Sequence, residues 1–134
     1  MKSLFSFFIF LLLSSCFLNT WDSRLTLSNK TTKKIFFRYN FKEKGDYKLD
    51  TTNCSRISFY DLEGDSEQRL PSQNKYDVYF RMHPNNFLRI YIIDSDSLNK
   101  YGPCQILKEQ IFAKRFDLNY DDMVKLDWRV EYKE

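Results

Sequence analysis

Cys16 has the most specific chemical context of any residue in the chain. It closes the run Leu13-Ser14-Ser15-Cys16, in which two small residues let the backbone extend into a peptidase site and a leucine stands three places before the thiol. That spacing looks like a lipobox. Cleavage would make Cys16 the first residue of the mature chain and load it with fatty acyl chains, palmitate among them. Each buried CH₂ contributes about 0.8 kcal/mol, so several chains together make an effectively permanent membrane anchor. The plainer alternative is an ordinary secretory leader with a fortuitous cysteine.

With Cys16 consumed, Cys54 and Cys104 remain as an even pair in a compartment where disulfides persist. A bridge would close a loop of about fifty residues and stabilise by about 3 to 4 kcal/mol on the chain-entropy model. Two buried thiols are the other reading, because free cysteine packs as a small apolar side chain. No metal site is expected: two cysteines and the lone His83, without a Cys-x-x-Cys pair, do not make a zinc cage.

The remaining candidates each have a simpler explanation. A Ser-His-acid machine would have to use His83 with Asp77 or Asp94 as its orienter, yet no Gly-x-Ser-x-Gly elbow is present. His83-Pro84-Asn85-Asn86 reads more simply as a hairpin. Asp94-Ser95-Asp96-Ser97-Leu98-Asn99 begins like a calcium loop. However, Leu98 falls on a ligand position, the required glycine is missing and Gln105 replaces the bidentate glutamate, so helix capping explains Asp94 and Asp96 better. Asp121-Asp122 could be half of a glycosidase carboxylate pair. Adjacent acids at a helix start are the simpler reading. Trp21, Tyr47, Tyr60 and Tyr79 fall on polar strand faces or in the tether, where exposed rings stack on sugars or anchor a protein partner; burial under a loop is their alternative. With only three glycines there is no phosphate-cradling loop, and no cofactor is expected.

The elements that must carry these residues follow from the hydrophobic pattern. Lys2 and the apolar run Leu4–Leu13, interrupted by Ser6, make residues 1–15 a signal peptide. A transmembrane helix needs roughly twenty apolar residues, about twice this run. Residues 16–23 read as a lipidated tether and residues 24–134 as one domain, since 134 residues are too few for two ordinary domains. The formal charge of +3 falls to +2 once Lys2 leaves with the leader. Lys33-Lys34 and Lys42-Glu43-Lys44 are short and acid-diluted, so no basic stripe marks a nucleic-acid binder.

Thirteen Phe and nine Tyr against three Gly and three Pro favour strands over disorder. Strands are expected at Leu25–Leu27 and, with Ile35, Phe37, Tyr39 and Phe41 on one face, at Lys34–Phe41. Ser28–Thr31 separates them as a turn. Gly45-Asp46 marks another turn, with Tyr47–Leu49 pairing back, and Ile57–Asp61 forms a third strand before a long loop from Glu63 to Asn74. Tyr76, Val78, Phe80 and Met82 alternate as another strand, joined by the His83 hairpin to a central apolar strand at Phe87–Ile93. A capped helical turn through Leu98 and Tyr101 ends at Gly102, and Pro103 opens a second short helix to Gln110. Ile111–Leu118 returns to strand with Phe112, Phe116 and Leu118 inward, Asn119 caps a turn, and Trp128, Val130 and Tyr132 face inward on the last strand. The expected fold is mainly β, an antiparallel Ig-like β-sandwich with two or three short helices in the C-terminal half.

The C-terminal third also carries a recognisable series: Leu88-Arg-Ile-Tyr-Ile-Ile-Asp94, Asp96-Ser-Leu-Asn-Lys-Tyr101, Lys114-Arg-Phe-Asp-Leu118 and Tyr120-Asp-Asp-Met-Val-Lys-Leu-Asp-Trp128, with Val130 and Tyr132. It resembles small uncharacterised lipoproteins of Bacteroides and relatives, and Ser28-Asn29-Lys30 fits the N-terminal part of that family. The chain differs in lacking a tryptophan near Cys104 and a proline after Tyr132. The resemblance implies an outer-envelope domain and brings no catalytic or ligand residues with it. Phe17-Leu18-Asn19-Thr20-Trp21-Asp22 holds no acidic run of the kind that routes such lipoproteins to the cell surface, so the periplasmic face of the outer membrane is the expected address. The expected role is a non-enzymatic interaction or accessory module for a protein partner, with glycan binding as the alternative and an envelope hydrolase third.

Overall fold

The computed structural model describes residues 21–43 and 54–134. Cys16, with the leader, and the Gly45-Asp46 turn with Tyr47–Leu49 lie outside them. The described chain runs β1 (Thr26–Asn29), β2 (Ile35–Glu43), a 3₁₀ turn (Cys54–Arg56), β3 (Tyr60–Leu62), β4 (Ser66–Arg69) and α1 (Tyr76–Met82). It continues β5 (Asn86–Asp94), α2 (Ser95–Glu109), β6 (Lys114–Leu118), α3 (Tyr120–Lys125) and β7 (Arg129–Tyr132). Two sheets form, one in the order β4-β1-β7 and one in the order β3-β2-β5-β6. This is a mainly-β, sandwich-like architecture with three helices in the C-terminal half. Its pairings are antiparallel except β1 with β7, which is parallel.

Period-two patterning builds the interior. Ile35 and Phe37 on β2, Leu88, Ile90 and Ile92 on β5, and Leu118 on β6 turn toward Leu27 on β1 and Val130 and Tyr132 on β7, forming one apolar cluster. The opposite face of β5 is buried as well: Tyr91 and Ile93 are inaccessible, and α2, which packs across this sheet, contributes the buried Ile106 and Leu107. Burial on both faces explains the continuous apolar run of β5. Phe112, expected to point inward, instead stacks on Tyr91 with ring centroids 4.5 Å apart, on the helix-covered side.

Several further sequence expectations change, among them the strand expected at Ile111–Leu118, which begins only at Lys114 because Ile111 and Phe112 still belong to the turn that closes α2. Tyr76–Met82 is a helix and not a strand. Its apolar residues fit both periods, and Tyr76, Tyr79 and Phe80 at i, i+3 and i+4 are what the helix places against Phe41 and the core, while Met82 is exposed. His83–Asn86 therefore joins a helix to a strand, with His83 at the helix C-cap, and is not a hairpin. The presumed long loop after Glu63 contains β4, a short polar strand on β1 whose residues lack the apolar alternation that would have marked it. The third strand begins at Tyr60, not Ile57, because the turn at Cys54–Arg56 precedes it.

The helices break and start where their end residues require. Asp94 caps α2 by accepting from Ser97 N at 2.7 Å, and Gly102, at φ 72°, interrupts the helix before Pro103 restarts it. Asn119 and Asp122 form a reciprocal capping box at α3. Beyond α3, Asp127 and Trp128 both adopt positive φ, 50° and 59°. Such a conformation costs a bulky residue about 1–3 kcal/mol and persists where packing over-determines it. Here the indole is held between Tyr76, Tyr120 and the Arg24 guanidinium.

Candidate functional site

Besides the pair of the buried Arg89 with Asp117 on β5 and β6, three regions bring chemistry-bearing side chains together, and the first lies at the start of the described chain. Asp22, placed by the sequence in the tether, is buried and bridged to Ser72 by two backbone hydrogen bonds, Asp22 N to Ser72 O and Ser72 N to Asp22 O. Its Oδ2 accepts from Tyr76 N at 3.0 Å, so Asp22 caps α1 from 54 residues away, where Lys75 supplies no side-chain cap. Arg24 donates to both oxygens of the same carboxylate, reaches Asp77 Oδ1 at 3.1 Å and lies over the Trp128 ring at 4.0 Å. Burial pushes the Asp22 carboxyl up, but the Arg24 guanidinium and the Tyr76 and Arg24 backbone N–H groups outweigh it and hold the group below the usual carboxylate value. Trp21, 61% exposed, projects beside this cluster over a shallow depression of about 490 Å³ that Lys75, Asp77 and Tyr120 share.

A second region is a polar hub. Asn29 is fully buried in β1, and its amide donates to the carbonyls of Lys33, Leu62 and Glu63 at 2.8, 3.3 and 3.0 Å. Its Oδ1 accepts from Thr31 N and Thr31 Oγ1, and Asp65 N donates to Thr31 O. One side chain thus ties the β1–β2 turn to the β3–β4 turn. Gly64 fits there because a Cβ would meet Thr32 backbone atoms at 2.4 Å. These are structural contacts, all directed inward.

The third region opens outward. Between the edge strands β6 and β7 lies a groove of about 500 Å³ lined by Phe116, Leu126, Val130 and Tyr132 together with Lys114, Arg129, Glu131 and Lys133. The bonds from Thr26 N to Trp128 O and from Lys30 N to Tyr132 O show that even-numbered residues of β7 face β1. By the strand period the peptide groups of Glu131 point the other way, along the groove, and no described residue pairs with them. Arg129 reaches Glu67, and Lys133 pairs with Glu131 at 2.7 Å. Lys114 adds a further cation above Phe116.

The sequence candidates scatter across these regions. Cys54 and Cys104 are joined, with Cα atoms 5.0 Å apart, fastening the 3₁₀ turn to α2. Cys16 and Tyr47 lie outside the described residues. His83 is exposed against the Tyr79 ring at 4.9 Å, while Asp77 is engaged by Arg24 and Asp94 by Ser97, so neither acid orients it. Asp96 and Asp121 are exposed in first helical turns and Asp122 belongs to the capping box. Among the described residues no three His, Cys, Asp or Glu side chains gather as a metal site. Tyr79 is half-buried on Phe41, Tyr60 is exposed on β3 beside Phe37 and Tyr39, and Trp21 has no ring partner among the described residues.

Sequence reasoning missed Asp22, Arg24, Asn29 and the groove. Asn29 sat in an apparent turn, and Arg24 next to a presumed tether. The groove depends on which strands end at sheet edges, and a single strand's pattern carries no record of that. Helix length is also informative: no described helix is long and apolar enough to cross a membrane. Comparison of the chain with protein-family models, curated proteins and solved structures returns no match. The class rests on fold and surface alone: a mainly-β two-sheet domain whose β6 and β7 edges are unpaired among the described residues.

Proposed function

We propose that the protein is a lipid-anchored module of the bacterial cell envelope that binds a protein partner and performs no chemistry of its own. Its partner contributes an extended segment with acidic side chains, laid into the groove between β6 and β7. The observation that carries this reading is that groove: an apolar floor of Phe116 and Leu126 backed by the buried Val130 and Tyr132, a β7 edge with outward-facing peptide groups, and three cationic side chains, of which Arg129 pairs with Glu67 and Lys133 with Glu131 while Lys114 lies over Phe116. Edge-strand addition takes affinity from the main chain and specificity from side-chain pockets, and the basic rim selects for acids. The anchor is Cys16 behind its Leu-Ser-Ser sequence, at the outer membrane and on its periplasmic side, in keeping with the resemblance to small envelope lipoproteins.

Site-specific photocrosslinking in the intact envelope tests the partner reading. A crosslinker replacing Leu126, at the groove, is expected to give one discrete protein adduct that weakens in high salt and disappears when Lys114→Glu and Arg129→Glu are added. A crosslinker replacing Glu63, on the far side of the sandwich, is expected to give none. Equal labelling from both positions, no adduct at Leu126, or retention on a polysaccharide column in place of a protein adduct would sink the proposal. Intact-mass analysis of membrane-purified protein reads the anchor: a chain beginning at Cys16 with added acyl mass supports it, and a chain cut elsewhere without lipid removes it.

A further inference from the structure

We infer that the face around Trp21 is a second membrane contact, in which the indole sits in the interfacial layer of the same bilayer that holds the Cys16 acyl chains. The inference rests on the anchored reading above and adds an orientation to it.

Geometry limits where the domain can stand. Trp21 follows Cys16 by five residues, and five residues reach at most about 17 Å when fully extended. A domain of this size is about 30 Å across, so the tether is too short for its far side to turn to the lipid. The side bearing Trp21 is therefore kept within about 17 Å of the bilayer. That side is also rigid where the tether enters, because Asp22 is bound to Ser72 by its backbone and to Arg24 and Tyr76 by its carboxylate. Trp21 therefore leaves the domain at a fixed point, next to the anchored Asp22. It is the most exposed of the large apolar side chains in the described residues, at 61%.

The surroundings suit the headgroup layer. An indole has an apolar body and a polar N–H, which is why tryptophan concentrates at membrane–water interfaces. Arg24 and Lys75 beside it are balanced by Asp22 and Asp77, two of the four already joined through the Arg24–Asp22 pair. A charge-balanced patch gains little from anionic lipid, so the ring supplies the contact and salt has little leverage on it. The consequence for the proposed partner site is steric: the domain is held at the membrane in one orientation, and the β6–β7 groove is presented at a set angle to the surface.

Brominated-lipid quenching of the two tryptophans, Trp21 and Trp128, tests this on the full acylated protein in phosphatidylcholine vesicles. The wild type is expected to lose part of its emission when the acyl chains are brominated, equally at low and high salt. Trp21→Phe, which leaves only Trp128 beneath Arg24, is expected to lose none, while the Trp128→Phe protein keeps the effect. Confirmed acylation with no quenching in the wild type, persistent quenching in Trp21→Phe, or quenching abolished by salt would each overturn the membrane contact and leave the anchor standing. Absence of acyl mass on the same sample would instead remove the anchor, and the contact with it.

Discussion

The two sides of the sandwich are closed by different means. On one side the chain passes from β3 into β4 through Gly64 and Asp65, and Asn29 reaches from β1 to bind the Leu62 and Glu63 carbonyls at that junction together with the Lys33 carbonyl of the β1–β2 turn. On the other, β6 and β7 are connected only through α3 at one end, and an open groove separates their edges. The closed side is polar yet buried, with its donors and acceptors matched. The open side exposes apolar and cationic side chains next to the peptide groups of Glu131, which no described residue pairs with. Buried polar groups are tolerated where each one is satisfied, and unsatisfied edges persist where water or a ligand can reach them. Buried polar contacts are thus concentrated at one seam, and the proposed partner site lies at the other.

The sharpest way to break this contrast is Asn29→Ala. The substitution strands the carbonyls of Lys33, Leu62 and Glu63 and the Thr31 amide inside the protein. The expected loss is about 4 to 5 kcal/mol, from several buried groups at about 1 to 3 kcal/mol each with partial relaxation. Denaturant midpoints with an unchanged slope would measure it; a loss below about 1 kcal/mol would mean the closed seam does not depend on this hub.

The disulfide touches neither seam, so its removal separates global from local stability. Replacing Cys54 and Cys104 by serine opens a link of sequence separation 50. The expected cost is about 3 to 4 kcal/mol by chain entropy, with the order of local opening unchanged. Amide exchange that accelerates at one seam alone in this variant would assign the bridge a local role.

Acid titration addresses the N-terminal clamp. The folded-state value of Asp22 lies below its ordinary 3.8, so its contribution is fully present above that value and is lost as the pH falls through and below it. Asp22→Asn is expected to destabilise by about 2 kcal/mol at neutral pH, the scale of a charge-assisted hydrogen bond. It should also flatten the acid limb of the stability profile below about pH 4. An acid limb as steep as in the wild type would place the titration elsewhere, for example at Asp94, a partly buried carboxyl also held low: burial pushes it up, and its bonds to Ser97 pull it further down.

The smallest stability effect is expected at the open seam. Lys114→Glu should change stability by no more than about 0.5 kcal/mol, as an exposed substitution away from the core, while weakening partner binding. In the free protein the Glu131 amide should exchange with solvent far faster than the Asp65 amide, which donates to Thr31 O on the closed side. Comparable protection at the two would mean the groove is already occupied or paired.

How much of this was legible depended on whether a feature is local. The alternation of β2 and β7, the continuous apolar run of β5 that marks a central strand, the Gly102 break and the Asn119 cap are each encoded within a few consecutive residues, and the sequence showed them. Tyr76–Met82 was misread because seven residues can satisfy both the strand and the helix period; the Asp22 cap, far away in the chain, favours the helix. β4 was invisible because Ser66–Arg69 is polar on both faces: its backbone ladder to β1 and the ion pairs of Glu67 leave no apolar alternation in the sequence. Asn29 looked like a turn residue because a buried amide and a loop amide are the same letter.

By itself, then, the sequence determined the mainly-β class, the paired count of Cys54 and Cys104 once Cys16 is set aside, and the helix boundaries written in Asp94, Gly102 and Asn119, since these follow from local periodicity, composition and capping chemistry. Only the tertiary structure decided that the cysteines meet, that Asp22 and Asn29 are hubs, that β1 pairs parallel with β7, and that one seam is stapled while the other stays open. Those outcomes depend on which distant residues become neighbours, and hydrogen bonds, ion pairs and strand edges acquire their energy from that proximity.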